Sequence, residues 1–578
     1  MHADSSERSR LLVATILALG TAVNACSGTR ASDAAVDARS RDTAADDSSA
    51  ESGGPDGIAP DGAPTDGLAT DATDAADTPI IPAHTCPATL PRFDLRMDFH
   101  AVGDGMADDT DRLHEAAVAI AAAGGGELVI PPGTYRIGRQ ATGAMTAMPF
   151  YRPALMFSVD GASCLQISGY GATLRLASGL HYGAFDETSG MPVPGPTTDP
   201  LKRADVGRMI ELTNSSNVLI EGLELDGNNT ALSLGGQWGD VDRQTSATGI
   251  SLNRDTDVHV RDIHTHHHGL DGITVLYRGA PPPRRMPHLL ERVNSEFNGR
   301  QGISWIGGWG LEAVDCQFDH TGRAINHGGG VDDGMPLVSR PRAGLDIEPN
   351  NGTTEMSRDG QFTRCEFVDN AGAQLTAAVG DGGYSTFTDC TFWGTTAQSA
   401  WANRPGLRFV NSRFYGTLVH PSDGRATPAD APVPALAAVF EGCTFEDRPW
   451  TDGSVFRSGN LVTIGPGEGE GVTWRNCTFI NHEVRAVGDA DAGTTEIYEG
   501  CTFQFDNNTI GTGLRQTTFE SSRVTSTHFT ETANITRSYD IAHPNAVVGT
   551  PAAGAAETVV DGPHVTWGGR TGVIPPGP

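Results

Sequence analysis

Two acidic side chains stand two residues apart in Gly344-Leu345-Asp346-Ile347-Glu348, where apolar and polar residues alternate as in a strand. On a strand such positions share a face and lie about 7 Å apart. Paired carboxyls of this kind suit glycoside hydrolysis, one protonated as acid, the other ionised as base or nucleophile. The same pair could be a solvated strand face or could hold Ca²⁺, and the hydrolytic chemistry itself requires no cofactor. Asp271 precedes a related strand, Gly272-Ile273-Thr274-Val275, near the line of Asp346. Arg300, Arg323, Arg340 and Arg342 fall near the same face, although each taken alone reads first as a surface arginine. Enzymes that eliminate or epimerise at uronic acids need a cation against the sugar carboxylate and a base for the C5 proton. Arg300 or Arg323 could supply the first, and His320 or Asp271 the second. Residues 326–342, with their glycines and Asp332-Asp333, could wall a cleft, and residues 228–248 could form the opposite wall with Trp238 as an aromatic platform. The run His264-Thr265-His266-His267-His268 invites a metal reading. His267, however, falls in register with Phe297, which favours a buried or turn histidine, and no metal ligand is assigned.

These residues need a scaffold that repeats. Cys316-Gln317-Phe318 recurs as Cys-x-Phe at Cys365, Cys390, Cys443, Cys477 and Cys501, with Ser295-Glu296-Phe297 and Ser412-Arg413-Phe414 as variants. Alternation places Cys and Phe on one face and the polar residue on the other. Stacked units then fill an interior with ladders of like residues, the pattern of a solenoid. Gly249-Ile250-Ser251-Leu252-Asn253, Gly272-Ile273-Thr274-Val275, Gly302-Ile303-Ser304-Trp305 and Ala324-Ile325-Asn326 stack with the Asp346 strand in the same way. The cysteines thus read as small apolar filler. Without a CxxC pair a zinc site is not expected, and Cys86 with Cys164 is the one disulfide pairing suggested. Upstream, Asp109 or Thr110 caps an Ala-rich helix to about Ala123, stopped by Gly124-Gly125-Gly126. The fold class expected is all-β: a right-handed single-stranded parallel β-helix with a short N-terminal capping helix.

The stretch Asp98-Phe99-His100-Ala101-Val102-Gly103-Asp104-Gly105, then Asp108-Asp109-Thr110, then Pro131-Pro132-Gly133-Thr134-Tyr135, resembles the opening of the pectate-lyase-like superfamily, in its rhamnogalacturonase and epimerase-like branch. The resemblance implies that the helix caps the open end of a β-helix. GLDIEPN at residues 344–350 is similar to a phrase that recurs in bacterial members. Leu270-Asp271-Gly272-Ile273 resembles the polygalacturonase coil in which the Asp is catalytic, but neither a following Asp pair nor an RIK phrase is present. The resemblance implies a polysaccharide partner, with a hydrolase or lyase, a uronan epimerase, and a non-catalytic glycan-binding surface protein as alternatives.

Residues 1–25 carry Arg8 and Arg10, an apolar run over residues 11–23, and small residues before Cys26. This resembles a bacterial lipoprotein signal, in which Cys26 becomes the lipidated N-terminus and the sole membrane attachment; an ordinary secretory signal is the alternative. Either places the protein outside the cytoplasm. Residues 26–90 lack large apolar side chains and read as a disordered tether. The β-helix is expected over 91–537, with active coils at 217–378, and an irregular tail over 538–578. The net charge of -31 excludes charge-driven binding to nucleic acid, and 12 acidic against 2 basic residues within 31–80 place about a third of it in the tether. Monomer and trimer stay equally open.

Overall fold

The computed structural model describes residues 86–505, apart from 278–283, 349–355, 378–383, 428, 466–467, 490–495 and 500, together with five further strands between 517 and 572. Ile80–Pro578 is one compact unit. Cys26 and the signal segment lie outside the described residues, as does most of the tether.

Helix α1 (Thr110–Ala123) is terminated by Gly124 at φ 75°, a left-handed conformation that suits glycine. Its buried face is Leu113, Ala116, Ala117 and Ile120. Asp109 does not cap the helix; its carboxylate accepts from the N–H groups of Val102 and Gly103 and so fixes the preceding turn. The Cys86–Cys164 disulfide is present, with Cα atoms 5.4 Å apart.

From there the chain winds as a right-handed parallel β-helix. One face is a sheet of 11 strands, from Phe157–Asp160 to Arg485–Asp489, each added parallel to the one before; we call it the second sheet. Of the remaining strands, 27 form the first sheet, which divides into two ladders, and the others form small sheets of two or three strands. Val314, for example, pairs with Thr363 in one ladder, and Gln317 with Glu366 in the other. The division falls at a row of residues with positive φ: Asp262, Arg292, Asp315, Arg364, Asp389, Asn411 and Asn476. Asp and Asn tolerate this conformation better than other non-glycine residues, which explains most of the row.

The Cys-x-Phe phrase begins one residue after that bend. Phe367, Phe392, Phe414, Phe445 and Phe479 stack at 4.9 Å, the spacing of neighbouring strands. A second stack, Phe362, Phe387, Phe409, Phe440 and Trp474, meets the first edge to face. The cysteines are buried and unbridged, and they do more than fill space. Each thiol donates to the carbonyl two residues back, as Cys316 does to Val314 at 3.3 Å, which satisfies the corner. Ser412 makes the same bond to Val410 at 3.1 Å, so Ser replaces Cys there by chemistry as well as size.

Ser295-Glu296-Phe297 is the exception. Ser295 pairs with Phe318, so this phrase sits two residues out of register with the others. Phe297 lies in the next turn at φ 54°, stacked between His267 and His320. His267 is therefore a turn residue. Past residue 537, where an irregular tail is expected, Ala546–Val548 and Gly562–Trp567 extend the parallel ladder and Arg570–Gly572 closes it antiparallel.

Candidate active site

The strands Ala247–Asn253, Asp271–Leu276, Gln301–Trp305, Ala343–Ile347 and Leu375–Ala377 lie side by side in the second sheet. Their register creates one outward row: Ser251, Thr274, Ser304, Asp346, Thr376 and then Trp401. Within this stretch small hydroxyl residues flank Asp346, and the row continues back from Ser251 to Glu211. Asp271 is not in this row. It pairs with Gln301, which pairs with Ala343, three residues before the Asp346 row and across a glycine corner. Gly272 cannot carry a side chain there, because a Cβ would stand 2.0 Å from Oγ of Ser295. The glycines of the Gly-Ile phrases thus turn the chain, and the preceding residue faces out beside the row.

Asp346 is 1% exposed, and the whole row from Ser251 to Thr376 is buried. The floor expected to be an open groove is covered. Gln301 donates its side-chain amide to Oδ2 of Asp346, while Oε1 of Gln301 and Oδ1 of Asp346 are buried without a well-formed hydrogen bond. Burial pushes the Asp346 carboxyl well up from its ordinary range. The charge and hydrogen-bonding contact of Glu348 and the charge of Asp271 push the same way, and Arg300 opposes them. Burial thus favours the neutral form of Asp346, while Glu348, two residues on, is exposed.

Arg300 is mostly buried and binds Asp271 through two parallel bonds, Nε to Oδ1 at 2.8 Å and Nη2 to Oδ2 at 2.6 Å. Asp271 also accepts from Oγ1 of Thr274 at 3.2 Å, so its oxygens are engaged. Burial works against the Arg300 charge, but Asp271, Asp346 and Glu348 outweigh it and raise its pKa. These four residues form one electrostatic group.

The other expected site residues lie elsewhere. Arg323 binds Asp369, Thr395 and Thr396, and His320 lies between Asp319 and Asp369. They form a separate cluster at the turn after the first sheet. Trp238 is no platform: it is 6% exposed, donates its indole N–H to the Asp199 carbonyl and lies under Arg203. Nor do the two insertions face each other across a cleft. Arg243 pairs with Asp332, Ser339 bonds both the N–H and the carbonyl of Arg243, and Asn326 donates to the carbonyls of Asn229 and Leu232. Residues 228–248 and 326–342 are knit into one body.

Two contributors escape a reading by apolar alternation. Gln301 emerges only when Asp271-Gly272-Ile273, Gln301-Gly302-Ile303 and Ala343-Gly344-Leu345 are aligned on glycine. Trp401 is 36% exposed and two coils beyond Asp346, roughly 10 Å along the same row. Its signal is the match of Ala400-Trp401-Ala402 to Leu375-Thr376-Ala377.

No family model matches the chain. Over 195 residues, 31% of its length, it is 27% identical to the mannuronan C5-epimerase AlgE6 of Azotobacter vinelandii, and it spans only 20% of that protein. The A-module of the A. vinelandii mannuronan C-5 epimerase AlgE4 covers 82% of the chain, and the chain all of it, at 14% identity and a TM-score of 0.26. A tailspike protein mutant of E. coli bacteriophage HK620, in complex with a pentasaccharide, covers 83% of the chain at 11% identity, and the chain covers 78% of it, with a TM-score of 0.39. The fold stands on the register of the coils rather than on these scores.

Proposed function

We propose that this protein acts on a polysaccharide at the Asp346–Glu348 pair, by proton transfer at C5 of a uronate residue. The observation that carries this reading is the division of the pair into a buried carboxyl, pushed well up by that burial, and an exposed one, with the Arg300 cation beside both. Glu348 takes the C5 proton. The electron pair of that C–H bond becomes the C4–C5 double bond as the C4–O4 bond breaks, and the departing oxygen receives the proton. Arg300 opposes the charge that develops on the sugar carboxylate. Asp271 holds the guanidinium in place, and Asp346 keeps the site from carrying two adjacent negative charges. Trp401 offers a ring for a sugar further along the row. Similarity to a protein named mannuronan C5-epimerase supports uronate chemistry and keeps epimerisation, with return of the proton to the opposite face, as the second reading. We place the activity outside the cytoplasm, on a chain anchored through Cys26.

The test is a screen of the full chain against uronate-containing and neutral polysaccharides, reading both reducing ends and the absorbance of unsaturated products. Both signals together mark a lyase, and reducing ends alone mark a hydrolase. Solvent-hydrogen exchange at C5 without cleavage marks an epimerase. Absence of all three across the screen, with the glycan still bound, would leave a binding protein.

A further inference from the structure

The first sheet carries a second constellation, apart from the Asp346 group. His264 and His266 alternate on the strand Thr256–His266 and so share its outer face. On the preceding coil Glu224 pairs with His264 and Asp226 with His266, and on the next coil Glu296 pairs with His266. We propose that Glu224, His264 and His266 bind a borderline divalent cation, Zn²⁺ by donor type.

Ligand atoms of these three residues lie within 4.8 Å of one another. Nε2 of His266 is 3.2 Å from Oε1 of Glu224, close to the roughly 3.3 Å edge of a tetrahedron with Zn²⁺ bonds of about 2.0–2.1 Å. The imidazole rings of His264 and His266 stack with centroids 4.2 Å apart. Nδ1 of His266 meets Nδ1 of His267 at 2.7 Å, so at least one of these nitrogens has no proton. Glu296, with Oε1 2.7 Å from Nε2 of His264, adds an oxygen beside the site, and Asp226 adds further negative charge. Glu224 and His264 are 42% and 40% exposed, so an ion reaches them from solvent. Two imidazoles with a carboxylate suit Zn²⁺ better than Ca²⁺, which takes oxygen ligands. The three ligands project from paired strands of two successive coils, so the ion would also clasp these two coils together.

The competing arrangement is a set of histidine–glutamate ion pairs without an ion. To decide, the full chain is stripped with a chelator and titrated with Zn²⁺ alone against a chromophoric competitor. One Zn²⁺ per chain is expected, with affinity falling at least 10-fold in His264→Asn/His266→Asn and Ca²⁺ failing to displace it at equal concentration. His320→Asn and Glu348→Gln should leave the affinity unchanged, which separates this site from the proposed activity. Glu224→Gln provides a second variant should the double one fail to fold by circular dichroism. No stoichiometric binding, or unaltered affinity in the folded variants, overturns the site. Displacement by Ca²⁺ overturns the nitrogen ligands.

Discussion

At the scale of single residues, the burial of Asp346 and the exposure of Glu348 decide what the site does. Glu348→Gln removes the base and should lower turnover on the right glycan by 100-fold or more, in the range of lost general-base catalysis. Asp346→Asn keeps a neutral group of the same shape, so it should cost far less if Asp346 acts as the neutral partner. An equal loss in both variants would make Asp346 the working acid instead. Trp401→Ala should raise KM with little change in kcat, as expected of a ring that binds sugar equally in ground and transition states. The two acids were legible in the sequence because strand alternation puts them on one face. The burial of Asp346 was not, because it depends on what covers the face. Trp238 misled for the same reason: a tryptophan in a loop looks available until the Asp199 carbonyl and Arg203 are seen to occupy it. A purely structural carboxyl gives a sharper pH test. Burial pushes Asp255 up to about 7, against the opposing effect of the Ser215 and Asn253 N–H groups it accepts. Between the ordinary Asp value of 3.8 and about 7 the folded chain therefore holds a proton that the unfolded chain has released. Stability should fall as pH rises through that window, by up to about 1.4 kcal/mol per pH unit. Asp255→Asn should flatten that slope in urea titrations, and an unchanged slope would show that other groups govern it.

At the scale of elements, the ladders set both the fold and its tolerance. Phe392 is fully buried and stacked between Phe367 and Phe414. Phe392→Ala should cost about 3–5 kcal/mol in chemical denaturation, because its neighbours are held by their own strands and cannot close the cavity. Ser412→Cys, which restores the commoner ladder residue and keeps a donor for the Val410 carbonyl, should change stability by less than about 1 kcal/mol. The repeated phrase made these ladders readable without coordinates. It could not show that Ser295-Glu296-Phe297 is displaced by two residues, since a strand face and a left-handed turn can carry the same three letters. Only the pairing of Ser295 with Phe318 reveals it. The same slip places the His267, Phe297 and His320 rings in one turn row, which polar–apolar alternation has no means to mark.

At the scale of the molecule, each coil touches chiefly its neighbours, so stability should propagate along the axis rather than belong to one core. The Cys86–Cys164 disulfide departs from that local order, as do the bonds between residues 228–248 and 326–342, since it joins positions 78 residues apart on either side of the capping helix in sequence. By loop-closure entropy a bridge of this span restricts the unfolded chain by an amount worth about 4.5 kcal/mol. In a strictly local solenoid, that loss on Cys86→Ser would fall on the first coils. Amide exchange should then accelerate in helix α1 and the strand Ser163–Leu176, while the Phe392 and Phe414 coils keep their protection. A uniform loss of protection along the chain would show instead that the β-helix unfolds as one cooperative body. The site lies between these regions, with Asp271 and Asp346 on coils after the bridge and before the long Phe stacks. Activity measured beside exchange in Cys86→Ser would therefore show how far the end cap stiffens the strands that hold Arg300 against Asp271. Retained activity with a loosened cap is the expected result, because that ion pair is made within adjacent coils.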